Sequence, residues 1–390
     1  MSVMLGVDSV DNYTNILGNK KIGLVTNHSG VNKHLVSTID CLYKHFNLVK
    51  LFAPEHGVRG NSEAGEAVFG YTDARTALPV ISLYGKNKTF SEEMLEDIDI
   101  IAIDIQDVGS RFYTYLYTMA YAMQACKKYG KTCIVFDRPN PLNANNVEGN
   151  MLESSCASFI GLYPIPQRYG LTIGECALLF NNEYGINCDL KIIAMSGYKR
   201  DMYFCETALQ WVLPSPNIPT IETCLTFNCT CIFEGTNISE GRGTTKPFSF
   251  IGAPWLKAEE FAEKMNDKEL LGVHFRPHYF SPVFAATKKS FGEAKYKDEL
   301  CGGVEIHVVD KFSFKPIETA LNLLFEIRDN YEQFEFLPPY TEKGRHMIDY
   351  NTGSAHIREG TQSLSEALAS YKKDSAEFSK IKTKYHLYHS

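Results

Sequence analysis

The stretch LVKLFAPEHGVRG, residues 48–60, sets a carboxylate (Glu55), an imidazole (His56) and a guanidinium (Arg59) directly behind a run of apolar and β-branched residues that stops at Pro54. Pro54 holds Ala53 extended and closes the strand, while Gly57 and Gly60 permit the turn that folds the loop back, so Glu55 is presented at a strand tip. Four more segments have the same character. TNHSG carries Asn27 and His28, QDVGSR carries Gln106, Asp107 and Arg111, DRPNP carries Asp137, Arg138 and Asn140, and FEGTNISEGRGTT carries Glu234, Asn237, Glu240 and Arg242. Carboxylates accompanied by arginines and tyrosines suit hydrolysis of a glycoside with an acidic substituent: one carboxylic acid protonates the leaving oxygen while arginine and aromatic faces hold the sugar. The other chemistries lack their signatures. No GxGxxG follows the first strand, GRGTTK lacks the GK[ST] ending, Glu55-His56 alone is not a zinc pattern, and no GxSxG offers a serine nucleophile. The expectation is therefore an enzyme without metal or cofactor.

The elements that position these residues follow from alternation. Short apolar runs at 21–26, 47–53, 79–84, 98–105 and 131–137 read as buried strands. Between them lie helical segments at 36–46, at 90–97 with a capping box from Thr89 to Glu92, and in FYTYLYTMAYAMQACKKYG, where Phe112, Leu116, Met119, Ala120 and Met123 form one stripe behind Ser110 as cap. Strand, helix, strand, repeated, predicts an α/β fold, a mostly parallel sheet with helices on both faces. Runs at 189–195 and 223–233 extend that sheet in this reading. After residue 245 the pattern changes to strands at 271–280 and 302–309, a helix near 316–330 and another capped by Ser363 and Glu366. We therefore expect a first domain over 1–245 and a smaller α+β domain over 246–390 that closes the cleft. Ligands of open parallel sheets bind beyond the carboxyl ends of the strands, so five polar loops at that end describe one cleft.

Composition narrows the field further. A net charge of −7 gives no broad positive field for phosphate backbones, which argues against nucleic acid. MSVMLGVDSVDNYTN has neither a basic n-region nor an apolar h-region, and no run reaches the length of a membrane helix. The expectation is a cytoplasmic protein as the sequence stands, or a secreted or cell-envelope one if a leader was removed. Cys224, Cys229 and Cys231 give CxC where zinc pairs are CxxC, so the eleven cysteines read as reduced, mostly buried thiols.

GLVTNHSGV, LFAPEHGVRG, SLYGK, IDIQDVGSRFYTY, FDRPNP, YPIPQRYGLTIGE, PSPNIPT, FEGTNISEGRGTTKPF, GAPW and CGGVEIHV occur in this order. Together they closely resemble the exo-acting β-N-acetylmuramidases of bacterial peptidoglycan turnover, the NamZ-type glycoside hydrolases, from Gly6 to about Asp349. The resemblance implies a Rossmann-like first domain, a smaller second domain, and a cleft that removes N-acetylmuramic acid (MurNAc) from the non-reducing end of peptidoglycan-derived muramyl saccharides. It also implies that Glu55 is the catalytic acid.

A general acid at neutral pH needs a raised pKa, and a guanidinium against Glu55 would lower it. Arg59 is thus expected to face substrate or another carboxylate, such as Glu66 or Asp107; the alternative is that Glu55 and Arg59 merely pin the loop. Asp104 and Asp107 flank Gln106, so alternation sends one to substrate and the other to cap the Gly109–Ser110 turn; Asp107 is assigned to substrate. Glu234 is the candidate second carboxylate. At least one of Arg111, Arg138, Arg168 and Arg242 is expected to hold the lactyl carboxylate of muramic acid. Asn27, His28, His56, Tyr113, Asn140, Asn237 and Glu240 complete the binding candidates, whereas Glu175 reads as the capping-box partner of Thr172. Retaining, inverting and substrate-assisted routes stay open, as do two rival classes: a muramyl-binding protein without turnover and a metal-dependent α/β hydrolase.

Overall fold

The computed structural model describes residues 2–54, 57–60, 70–83, 89–283, 294–341 and 344–390. Seven strands, β1 (Ile22–Thr26), β2 (Leu48–Ala53), β3 (Tyr71–Thr72), β4 (Pro79–Ser82), β5 (Ile100–Asp104), β6 (Thr132–Phe136) and β7 (Asp189–Ile193), form one sheet in the order β3-β4-β2-β1-β5-β6-β7. Every neighbouring pair is parallel except the β3–β4 hairpin. The central strands are apolar throughout because both faces are covered. Val25, Phe52, Ile101, Ile103 and Val135 join one core layer, while Leu24, Leu51, Ala102 and Ile134 join the other, packed with Ile39 and Leu42 of the helix Thr38–His45. Parallel pairing puts the carboxyl ends of β1, β2, β5 and β6 on one rim.

The second sheet is antiparallel, with β8 (Phe250–Ala253), β9 (Val273–Phe280) and β10 (Cys301–Val308) in the order β8-β10-β9. The helix Pro316–Asn330 starts with proline at its first turn, and the helix Leu364–Lys382 opens on the Ser363/Glu366 capping box. That last helix runs back to the first sheet. Lys382 Nζ donates to the carbonyls of Ala144, Asn145 and Gly170, and Tyr388 Oη donates to Asp137 Oδ2 at 2.6 Å.

Three local expectations are corrected. Residues 223–233 are not a strand: Ile221–Thr230 is a helix, capped by Thr220, followed by a 3₁₀ turn Cys231–Gly235. TCLTFNCTCIF alternates like a strand because the helix is buried on every side from Thr223 to Thr230, which erases the 3.6 period. Its threonine hydroxyls find carbonyls close by, Thr230 Oγ1 lying 3.0 Å from Thr226 O inside the helix and 2.7 Å from Phe248 O outside it. The loop that follows therefore does not belong to the rim of the large sheet. The helix of the third connector begins at Tyr115 behind Thr114, not at Ser110, which stays in the preceding loop. The short helix Glu92–Leu95 is capped by Ser91 rather than Thr89. All eleven cysteines are free and nine are buried. Among the described residues, no helix is long and apolar enough to cross a membrane.

Candidate active site

The β1, β5 and β6 tips are joined by a continuous set of buried hydrogen bonds. Asn27 Oδ1 accepts from the Ser29 backbone N–H at 2.9 Å and from Ser29 Oγ at 2.5 Å, and Ser29 Oγ accepts from Gln106 N at 3.1 Å. Gln106 Nε2 reaches on to the carbonyls of Asp107 and Pro139. Asn27 Nδ2 donates to Tyr115 Oη at 2.7 Å, which donates to the Pro214 carbonyl at 2.7 Å.

Asp107, which alternation assigned to substrate, takes the capping role that it had given to Asp104. Its Oδ2 accepts from Gly109 N at 2.7 Å, which caps the turn, and from the Tyr169 hydroxyl. Its Oδ1 is buried without a hydrogen-bond partner among the described residues. Burial pushes the carboxyl up to about 7 against the pull of those donors. Gly109 sits at φ +77°, where a Cβ would stand 2.5 Å from Asn140 Oδ1, so this turn requires glycine. Asp104, by contrast, is spent: Arg138 binds it in bidentate fashion at 2.5 and 2.8 Å, and Thr38 Oγ1 donates to it as well.

Glu55 and His56 lie outside the described residues, as does Glu66. Their frame does not. Gly57 and Gly60 both take left-handed φ, and a Cβ on Gly60 would stand 3.1 Å from the His28 ring, so the β2 tip loop rests on the β1 tip. Arg59 does face other carboxylates, though not those expected. Its Nε and Nη2 grip Asp73 at 2.6 and 3.0 Å, and Nη2 also reaches Asp40 at 3.1 Å. Asp73 accepts two further bonds from Thr76, and the Arg59 guanidinium holds its carboxyl down at about 2. The loop is thus clamped to the β3–β4 hairpin.

Three of the four candidate arginines are internal. Arg111 is fully buried and donates to the carbonyls of Asn150, Ile165 and Asn351; Arg168 serves Glu148 and the Leu142 carbonyl; Arg138 serves Asp104 and the Val31 carbonyl. In this structure their guanidiniums hold the protein's own backbone and acids, so none is presented for a lactyl carboxylate. Asn140 bonds Leu171 O and Leu142 N, and Asn237 pairs with the backbone at Gln333 and Glu335, so both hold loops. His28 is half-buried with its ring beside the Leu213 backbone, its Nδ1 has no hydrogen-bond partner among the described residues, and burial lowers its pKa.

The loop after Gly235 forms a second cluster. Arg242 pairs with Glu234 and, at 3.2 Å, with Glu240; Glu240 also takes Lys295 at 2.8 Å, and Lys295 bonds the carbonyls of Phe233 and Ile238. A ladder of aromatic rings joins the two clusters. Tyr113 meets Phe227 edge-on at 5.9 Å, Phe227 meets Phe248 at 4.7 Å, and the Arg242 guanidinium lies 4.9 Å from the Phe248 ring centre. Among the described residues no group of three or more His, Cys, Asp or Glu could hold a metal.

Comparison with known proteins places the whole chain. Two family models match it, Exo-beta-N-acetylmuramidase NamZ, N-terminal, over residues 22–222 and its C-terminal counterpart over 225–388. The chain belongs to the NamZ family. It is 47% identical over 393 residues to the peptidoglycan beta-N-acetylmuramidase NamZ of Bacillus subtilis (strain 168), covering 99% of this chain and 91% of that protein. Two crystal structures of DUF1343 family proteins from Bacteroides fragilis share the fold. One has a TM-score of 0.88 at 36% identity over 99% of each chain, the other 0.80 at 29% over all of both. Within this NamZ fold, sequence reasoning missed Tyr169, Asp73, Lys295 and Tyr115. Tyr169 stands in the YPIPQRYGLTIGE motif and Asp73 begins the short DART turn, but neither spacing announces a partner 62 or 14 residues away.

Proposed function

We propose that this chain is an exo-acting β-N-acetylmuramidase that releases terminal MurNAc from the non-reducing end of peptidoglycan fragments, with Glu55 as proton donor and Asp107 as second carboxylate. The observation that carries it is 47% identity to the Bacillus subtilis enzyme across 99% of the chain. The frame of PEHGVRG supports the assignment of Glu55. Arg59, the cation nearest in sequence, is engaged by two other carboxylates, Asp73 and Asp40. Asp107 adds a carboxyl with one unpartnered oxygen that holds its proton to about 7, the property a proton-handling group needs near neutral pH. Product analysis with MurNAc-GlcNAc against GlcNAc-MurNAc tests direction and residue preference: only the first should be cleaved. Glu55→Gln should lower kcat roughly 10³-fold with the fold intact, the range of general acid catalysis. Unchanged turnover in that variant refutes the role, and loss of wild-type turnover in EDTA would favour the metal-dependent class instead.

A further inference from the structure

Between the 3₁₀ turn Phe204–Glu206 and the helix Ile221–Thr230, the chain crosses the rim as a strap. Its backbone is held from the rim at the Pro214 carbonyl. Tyr115 Oη donates to Pro214 O at 2.7 Å, Asn27 Nδ2 reaches the same oxygen at 3.4 Å, and the His28 ring lies beside the Leu213 backbone. Asn27 and Tyr115 are themselves fully buried, so these are fixed posts. The strap is stiff on its own account. Pro214, Pro216 and Pro219 fix φ at three of six positions, and Trp211 Nε1 closes back on the Ile218 carbonyl at 3.4 Å while its ring meets Phe204 edge-on.

Two further facts fix where this strap stands. His28 touches it on one side and the Gly60 end of the β2 tip loop on the other, so strap, imidazole and the loop that carries position 55 are consecutive neighbours. Beneath it, Leu209, Trp211 and Val212 face Ser29, Gln106 and Arg138 of the rim across a cavity of about 20 Å³. That holds about one water, so no sugar ring passes under.

We propose that residues 209–218 are the wall that ends the sugar cleft just beyond the terminal-MurNAc subsite, and that this wall, with Trp211 and Leu213 as its face, makes the enzyme exo-acting. The inference rests on the muramidase reading above. A glycan with one more sugar beyond the terminal MurNAc would have to pass through a stiff, pinned segment, whereas one that ends in MurNAc stops against it. Leu213 is 38% exposed and Trp211 half-buried, so the wall presents apolar and aromatic surface of the kind that packs on a sugar face.

The test compares MurNAc-GlcNAc with GlcNAc-MurNAc-GlcNAc. By calorimetry on the wild-type protein, the trisaccharide should bind at least roughly 100-fold more weakly than the disaccharide. Equal affinities overturn the wall outright, whether or not either sugar is cleaved. In the variants Trp211→Gly/Leu213→Gly and Tyr115→Phe, the ratio of trisaccharide to disaccharide hydrolysis should rise by about tenfold or more, a change the size of one lost pocket contact. A ratio unchanged in both, at a native melting temperature, also overturns it. Failure of the wild type to cleave MurNAc-GlcNAc sinks the muramidase reading instead, and the binding comparison still decides the wall.

Discussion

Two carboxyls in this molecule, Asp107 and Glu240, are equally buried and behave oppositely. At the β5 tip, Asp107 is surrounded by the Tyr169 hydroxyl and the N–H groups of Val108 and Gly109, with no cation acting on it among the described residues, and burial carries it up to about 7. In the loop of the smaller sheet, burial pushes Glu240 the same way, but the Lys295 and Arg242 charges at 2.8 and 3.2 Å overcome it and hold the carboxyl below its ordinary range. Glu234 closes on the same Arg242. Burial sets the size of the penalty, and the presence of a cation sets its sign. A group that must gain and lose a proton near neutrality belongs to the first region, whereas Glu240 is held charged in the second. The comparison favours Asp107 over Glu234 as the second proton-handling carboxylate.

The largest expected effect separates the two regions by what each variant damages. Asp107→Asn should lower kcat/KM roughly 10²- to 10³-fold, measured on MurNAc-GlcNAc. It should also flatten part of the stability profile. Because the folded pKa of Asp107 lies above the ordinary 3.8, its contribution is fully present below about pH 4 and is lost as pH rises through about 7. Urea midpoints between pH 4 and 7 should therefore fall less in the variant than in the wild type. Glu240→Gln should do the reverse. It leaves Arg242 and Lys295 without one of their acids and should cost about 3 kcal/mol in denaturant unfolding, with kcat kept within about tenfold. Equal catalytic losses from the two substitutions would break the comparison.

Asp73→Asn gives a smaller effect and probes a third arrangement, a carboxyl held down by a partly exposed cation. The Arg59 clamp loses its charge, so we expect about 2 kcal/mol of destabilisation, in the range of hydrogen bonds to charged groups. The drop should fall on kcat more than on KM, because the clamp positions the loop of Glu55 without itself closing the cleft. The pH dependence has the opposite sign to that of Asp107. With its folded pKa at about 2, Asp73 contributes stability that is present above about pH 4 and lost as pH falls toward 2. The variant should lose that acid-side slope while the slope between pH 4 and 7 persists.

These behaviours were legible in the sequence only in part. The parallel sheet was readable because β1, β2, β5 and β6 are buried on both faces and stand out as apolar runs, and PEHGVRG was readable because proline and glycine punctuate a strand tip. The helix Ile221–Thr230 was not, because complete burial removed its polar face. Asp107, not Asp104, caps the Gly109–Ser110 turn for a simpler reason. The period of two that separates side chains along a strand ends with the strand, at Asp104, and the next three residues follow a loop. Residue type alone gave no sign of the company a charge keeps. Arg111 and Arg168 looked like ligand-binding arginines, yet the carbonyls that occupy them come from segments 39 to 240 residues away for Arg111 and 26 residues away for Arg168.

The smallest effect follows from one hydroxyl. Tyr169 donates to Asp107 Oδ2, and a bond to the ionised form opposes burial. In Tyr169→Phe that opposition is reduced to backbone N–H groups, so the pKa of Asp107 must rise from about 7, and the limb of the kcat/KM profile that reports it must move to higher pH. The stability change should be near 1 kcal/mol, the net worth of one buried hydrogen bond. Lys295→Met is the matching change in the second region: it weakens the pull on Glu240, yet Arg242 still stands at 3.2 Å and keeps that carboxyl ionised, so the profile between pH 5 and 8 should not move. A limb that shifts to lower pH in Tyr169→Phe, or shifts equally in Lys295→Met, would mean that the group titrating during turnover is not Asp107.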